Sequence, residues 1–92
     1  MLLNNKRFSL FESKKEQKYL KNLISKIDDP KIYKTYRKIY EDFEKIISFE
    51  ELEEFVNKYK INIQIDKNKT LNELKEETAY ELIESIYKKI NP

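Results

Sequence analysis

Residues 29–47 read DPKIYKTYRKIYEDFEKII and carry the clearest helical pattern in the chain. Asp29 is a favourable N-cap residue, and Pro30 suits the first helical position, where a missing backbone N–H costs nothing. Apolar and aromatic side chains then recur every three or four residues up to Ile47. Because this spacing places them on one face, the stretch predicts an amphipathic helix over residues 30–47.

Three further segments have the same apolar spacing, and each opens on a Ser or Thr followed three residues later by Glu. This is the capping-box pattern, in which two side chains and two backbone N–H groups bond reciprocally at the helix start. The three helices are predicted over residues 13–27, 49–59 and 71–90, opened by Ser13, Ser48 and Thr70. Ser9 with Glu12 forms an alternative box for the first helix, which places its start four residues earlier. Since the chain has no glycine, the helix ends must use Asn, Lys or water where glycine commonly serves.

Residues 61–65 change from a helical to a two-residue period. Ile61, Ile63 and Ile65 alternate with polar residues, which is typical of a half-buried strand. A lone strand leaves its backbone groups unpaired, so we expect a partner for it. Two partners remain open: residues 7–11 of the same chain, or the same strand in a second copy.

These elements predict a mainly α fold, a small four-helix domain with one short strand or a two-stranded ribbon. A chain of 92 residues is the size of one domain, so a single helical domain is expected over residues 1–92, with residues 1–12 as an N-terminal arm. The predicted core draws on all four helices. It consists of Leu20, Leu23, Ile24, Ile27, Ile32, Tyr36, Ile39, Tyr40, Phe43, Ile47, Leu52, Phe55, Val56, Leu74, Leu82 and Ile86.

The composition excludes most catalytic chemistry, because the chain has no His, Cys, Trp or Gly. It therefore lacks thiolate nucleophiles, Cys- or His-based metal sites, an imidazole base and the glycine-rich loops that bind nucleotides. We expect no catalytic residue, no cofactor and no metal site, and we predict that the protein is not an enzyme.

The apolar residues are too dispersed for a membrane protein. No run of about 18 apolar residues is present, which predicts no membrane span. The first residues lack the apolar segment of a signal peptide, and the absence of cysteine is compatible with a reducing compartment. A cytoplasmic location is therefore expected.

Charge is divided unequally along the chain. Residues 1–38 contain 11 basic and 4 acidic residues, a net charge of +7. Residues 39–92 contain 8 basic and 13 acidic residues, a net charge of −5. Such a division predicts two binding faces of opposite sign.

Helical spacing assigns residues to each face. The basic face, on the first two helices, consists of Lys14, Lys18, Lys21, Tyr33, Lys34, Arg37 and Lys38. The acidic face, along the last helix, consists of Glu73, Glu77, Glu81 and Glu84. Lys and Arg neutralise phosphates and exposed Tyr stacks on unpaired bases, so the basic face suits an anionic partner. The alternative is that the lysines are only solvated, and that acidic and basic helices neutralise each other within the fold.

These features predict a small non-catalytic protein-binding domain of the inhibitor, immunity or adaptor type, with another protein as its partner. In size and helix count the chain resembles the small helical immunity or inhibitor proteins of bacteria and their phages, which implies the same class of function. The alternative is a nucleic-acid-binding protein that uses the basic and aromatic face of the first two helices. A homodimer through Ile61–Ile65 is a third prediction.

Overall fold

The computed structural model describes residues 14–91, and residues 1–13 and 92 lie outside this description. Helix makes up 72% of the described chain, which confirms the predicted mainly α fold. The four helices are α1 (Lys15–Ser25), α2 (Pro30–Glu44), α3 (Phe49–Lys58) and α4 (Leu71–Ile90). None of them is both long and apolar enough to cross a membrane, within the residues that the structure describes.

Helix α2 begins as predicted and ends earlier than predicted. At its start, Oδ1 of Asp29 accepts hydrogen bonds from the backbone N–H groups of Lys31, at 2.9 Å, and Ile32, at 3.4 Å. The helix ends three residues before the predicted boundary. This changes the direction of the side chains that follow: Ile46 is 5% exposed, whereas Ile47 is 80% exposed. The prediction that Ile47 belongs to the core is therefore wrong, because the helical period no longer applies there.

The starts of α3 and α4 carry their predicted caps. In α4, Thr70 and Glu73 form the full capping box, with both reciprocal bonds present. In α3, the Ser48 hydroxyl accepts from the backbone N–H of Glu51 at 3.2 Å. The Glu51 carboxylate, however, accepts from the N–H of Ile47 at 2.7 Å, so this box closes one residue further back than the sequence pattern predicts.

Helix α1 obtains its N-terminal cap from a distant part of the chain. The predicted cap residue, Ser13, lies outside the described residues, and the N-cap position in the structure, Lys14, provides no side-chain cap. Instead, the backbone N–H groups of Glu16 and Gln17 donate to the two carboxylate oxygens of Glu76, at 2.9 and 3.2 Å. Since Glu76 belongs to α4, this contact fixes the start of α1 against that helix.

The contacts between helices establish their directions. Tyr36, near the middle of α2, bonds through its hydroxyl to Ser85 on α4 at 2.6 Å. The Lys75 amine, near the start of α4, donates to the carbonyl of Ile46, beyond the end of α2, at 3.2 Å. Helices α2 and α4 are therefore antiparallel. Helices α1 and α4, which form the largest contact in the described chain, run in the same direction, because Glu16 at the start of α1 contacts Glu76 and the later Tyr19 contacts the later Tyr87.

The core lies between α4 and the other three helices. Most of the predicted core residues are buried, and Leu23, Ile27, Ile32, Ile39 and Tyr40 are half-buried against it. The prediction missed three apolar residues, which are Ile46, Ala79 and Ile83. The fully buried side chains are Leu20, Phe43, Leu52, Leu74, Thr78, Ala79 and Ile86. The Thr78 hydroxyl donates to the carbonyl of Leu74 at 2.8 Å, so this polar group is satisfied inside the core.

Helix α3 ends without glycine, as the composition requires. Lys60 has φ of 55°, in the left-handed region. The N–H of Ile61 then donates to the carbonyl of Val56 at 2.9 Å, which is the closing bond of a Schellman turn. A lysine therefore occupies the position where glycine avoids a steric cost, and the predicted use of Lys at a helix end is confirmed.

The segment after this turn keeps its predicted alternation but forms no strand among residues 14–91. Ile61, Ile63 and Ile65 are half-buried against the core, and the polar residues between them are exposed. The predicted pairing partner, residues 7–11, lies outside the described residues. The homodimer through Ile61–Ile65 stays a prediction.

Candidate functional site

A groove between α1 and α2 brings together three of the predicted basic and aromatic residues, Lys21, Tyr33 and Arg37. Its volume is about 270 Å³. Half-buried rings and apolar side chains form part of its wall, and side chains of both charges line it. The complete lining is Lys21, Ile24, Ser25, Tyr33, Arg37, Tyr40, Glu41 and Glu44.

Arg37 is held by its neighbours within this groove. Its Nη1 donates to the hydroxyl of Tyr33 at 3.1 Å, and its Nε donates to the Glu41 carboxylate at 3.3 Å. The Tyr33 hydroxyl is the main cause that raises the pKa of Arg37, followed by Glu41. Burial, and then the nearby Glu44, raise the pKa of Tyr40. The groove therefore presents a guanidinium that is already paired, beside two carboxylates.

The remaining predicted basic residues lie outside the groove. Lys14 and Lys18 share the face of α1 that carries Lys21, and Lys34 and Lys38 lie one helical turn apart beside Arg37 on α2. All of these side chains are exposed. We call the five lysines the lysine surface: Lys14, Lys18, Lys21, Lys34 and Lys38.

The lysine surface makes no ion pair with the acidic helices within the described residues. The ion pairs among residues 14–91 are Arg37–Glu41, Lys58–Asp42 and Lys69–Glu77. No member of the lysine surface takes part in these pairs. The alternative in which the two charged faces pair with each other is therefore not found in the described part of the chain.

The four predicted acidic residues have different surroundings. Glu73 is used in the capping box of α4, and Glu77 pairs with Lys69 at 2.5 Å. Glu81 and Glu84 line a cavity of about 280 Å³ between α2, α4 and the turn after α3. Thus two of the four stabilise local structure, and two border a cavity. No group of three or more acidic side chains within residues 14–91 is arranged to hold a metal ion.

A further carboxylate is positioned by a tyrosine at the α2–α3 contact. The Tyr59 hydroxyl donates to Oδ2 of Asp42 at 2.5 Å, and the amine of Lys58 lies 3.5 Å from the same oxygen. The Tyr59 hydrogen bond is the largest cause that holds the pKa of Asp42 below its ordinary value, and Lys58 adds to it. This arrangement joins two helices, and it lies in the wall of a third cavity, of about 240 Å³.

An exposed group of tyrosines that the sequence pattern did not predict lies between α1 and α4. The hydroxyl of Tyr19 is hydrogen-bonded to that of Tyr87, and Tyr80 lies two helical turns before Tyr87 on α4. The residues bonded to each other are 68 positions apart, so no local pattern connects them. Their only signal in the sequence is their position at the edge of the apolar stripes.

The comparisons with known proteins add no relative: no family model, no curated protein and no solved structure matches this chain.

Proposed function

We propose that the chain is a small non-catalytic protein-binding domain, of the inhibitor, immunity or adaptor type, that holds an acidic segment of another protein against α1 and α2. The observation that carries this proposal is the lysine surface beside a groove of mixed charge. Exposed lysines without internal partners attract an anionic partner, and electrostatic complementarity of this kind gives specificity and fast association.

The groove favours a protein over a nucleic acid as that partner. Glu41 and Glu44 lie in its wall, where their charge repels phosphate groups and acidic side chains alike, so the part of a partner that enters the groove must be uncharged or basic. The guanidinium of Arg37 is already engaged by Glu41 and Tyr33. Stacking on bases requires an exposed ring face, and both Tyr33 and Tyr40 are half-buried. A polypeptide, by contrast, can present acidic, basic and apolar groups to one groove.

The size of the groove agrees with an anchoring role. A volume of about 270 Å³ lies just below the range of about 300–1,000 Å³ that is typical of small-molecule sites. It is large enough for one or two side chains of a partner. We infer that an apolar side chain enters between Ile24 and Tyr40, and that acidic residues on either side contact the lysine surface.

The nucleic-acid alternative rests on the same lysines and is distinguished by experiment. The probes are a labelled peptide of alternating glutamate and leucine, and single-stranded DNA and RNA of the same charge. Fluorescence anisotropy is measured at low and near-physiological salt. We expect the peptide to remain bound at near-physiological salt while nucleic acid dissociates, because nucleic-acid affinity without base contacts falls steeply with salt.

Matched charge reversals locate the binding. Lys34→Glu with Lys38→Glu is expected to abolish peptide binding. Lys88→Glu with Lys89→Glu changes the net charge equally, at the far end of α4, and is expected to leave it intact. If DNA or RNA binds more tightly than the peptide at near-physiological salt, and the first variant removes that binding, the nucleic-acid alternative replaces the present proposal.

A further inference from the structure

Three exposed tyrosines form a second surface, between α1 and α4. Tyr19, Tyr80 and Tyr87 are 46%, 49% and 37% exposed, and the first and last are joined through their hydroxyls. We call these residues the tyrosine surface. Exposed aromatic groups that cluster in this way mark interaction sites, and Tyr is one of the residues that most often contribute large binding energies at interfaces.

An acidic side chain lies beside Tyr80: Glu84 follows it by four residues, one helical turn along the same side of α4. The neighbouring carboxylate of Glu84 is the largest cause that raises the pKa of Tyr80, and Glu81 and Glu16 act in the same direction. Among the residues that the structure describes, every charged group that shifts this pKa is a carboxylate. The side chains come from two helices, since Glu16 belongs to α1. A partner that covers Tyr80 must therefore be compatible with three nearby acids.

We propose that the tyrosine surface docks an arginine- or lysine-rich segment of a partner protein. A guanidinium or ammonium group is attracted to the face of a tyrosine ring, and a guanidinium also bonds to carboxylates in a fixed geometry. Tyr80 with Glu84 supplies both features side by side. Phosphate groups and acidic segments are repelled by the same carboxylates, so nucleic acid is not the partner of this surface.

The tyrosine surface and the lysine surface can be occupied at the same time. Lys18 and Tyr19 are consecutive residues of α1, so their side chains point about 100° apart around the helix. Lys14 and Lys21 lie on the Lys18 side of α1, and Lys21 lines the groove with α2, whereas Tyr19 is bonded to Tyr87 on α4. The domain therefore offers a basic partner and an acidic partner separate sites, which favours the adaptor type among the functions proposed above. The docking of a basic segment does not depend on the lysine surface.

The test uses the full chain and a short peptide of alternating arginine and serine, with alternating glutamine and serine as the neutral control. Two-dimensional NMR of the labelled protein reports which amides shift on titration. We expect the arginine peptide to shift amides around Tyr19, Tyr80 and Glu84, and the control peptide to shift none. Shifts confined to other parts of the chain would overturn the proposal.

Substitutions of exposed residues distinguish a specific site from general attraction to acidic residues. Tyr80→Ala is expected to weaken binding of the arginine peptide by about tenfold, in line with the loss of a partly desolvated cation–π contact. Tyr80→Phe is expected to retain binding. Glu84→Gln should weaken binding of the arginine peptide more than Glu53→Gln does. The second variant changes the net charge equally, on the exposed side of α3. Equal effects of the two Gln variants would contradict the proposal. So would a protein dimer that Tyr80→Ala dissociates, because a second copy would then cover the surface.

Discussion

Replacing Glu76 by alanine tests the tertiary cap of α1. In the structure one carboxylate accepts two backbone N–H bonds, from Glu16 and Gln17, at 2.9 and 3.2 Å. Loss of an N-cap side chain costs about 1 kcal/mol, and leaving part-buried donors unsatisfied adds about 1 kcal/mol or more. We therefore expect Glu76→Ala to lower the free energy of unfolding by about 2 kcal/mol.

Two variants separate the cap from other consequences of removing a glutamate. Glu76→Gln keeps one acceptor oxygen but loses the second acceptor and the charge at the helix terminus, so we expect about half the loss of Glu76→Ala. Glu77→Ala is the matched control, since it makes the same substitution one position along α4. Its contact is an exposed ion pair with Lys69, of a kind that contributes only about 0.2–1 kcal/mol.

Urea unfolding measures the free energies, and thermal unfolding provides an independent check. A loss of about 2 kcal/mol corresponds to a midpoint lower by about 8–16 °C in a domain of this size. Amide hydrogen exchange localises the effect, because the N–H groups of Glu16 and Gln17 should lose protection before the rest of α1. Capping of α1 by Glu76 is refuted if Glu76→Ala is no more destabilising than Glu77→Ala, or if those two amides exchange at unchanged rates.

Three further predictions concern the α2–α3 region. Ile46→Ala should cost about 2–4 kcal/mol because it opens a cavity in the core, whereas Ile47→Ala should change urea unfolding by less than about 0.5 kcal/mol; similar losses would show that the buried residue is misassigned. Tyr59→Phe should restore the pKa of Asp42 toward its ordinary 3.8. Because the native pKa of Asp42 is depressed, its contribution to the free energy of unfolding is present above pH 3.8 and is lost as the pH falls through the native pKa. Tyr59→Phe should therefore show a smaller loss of stability on acidification. An unchanged acid transition would contradict the assignment. Lys60→Gly should raise the free energy of unfolding by about 0.5–1 kcal/mol, because glycine removes the steric cost of positive φ; a loss of stability would mean that the lysine side chain contributes more than its backbone costs.

The sequence predicts those helix boundaries that depend on neighbouring residues. The bounds of α4 agree with the prediction because Thr70 and Glu73 are three positions apart, and Asp29 with Pro30 likewise determines the start of α2 locally. The end of α2 could not be predicted from neighbouring residues. The apolar pattern continues to Ile47, and the Ser48 cap requires only that the helix end before residue 48, not that it end at Glu44. Only the packing of Ile46 against the core decides it.

The candidate surfaces likewise have one part that the local sequence predicts and one part that depends on packing between helices. Lys14, Lys18 and Lys21 share a face of α1 through helical spacing alone, and they lie together as predicted. That Lys21 and Arg37 line one groove depends on the antiparallel packing of α1 and α2, which helical periodicity does not specify.

For the acidic residues and the tyrosines, too, the sequence does not predict contacts between distant parts of the chain. The predicted acidic stripe is correctly placed along one side of α4, but the sequence could not show that Glu73 and Glu77 are already engaged. The tyrosine surface was missed because its members meet across two helices that are far apart in the chain.

The pairing of α1 with α4 also determines the order in which the domain can assemble during synthesis. Helices α2 and α3 carry caps from residues next to them, so their start signals are complete once those residues have been translated. Helix α1 is made before the other three described helices, yet its largest interface and its cap wait until α4 has been translated. Until then its apolar stripe, with Leu20 and Ile24, stays uncovered and is available to chaperones and proteases. Among the described helices, α4 is thus the one whose translation completes the core.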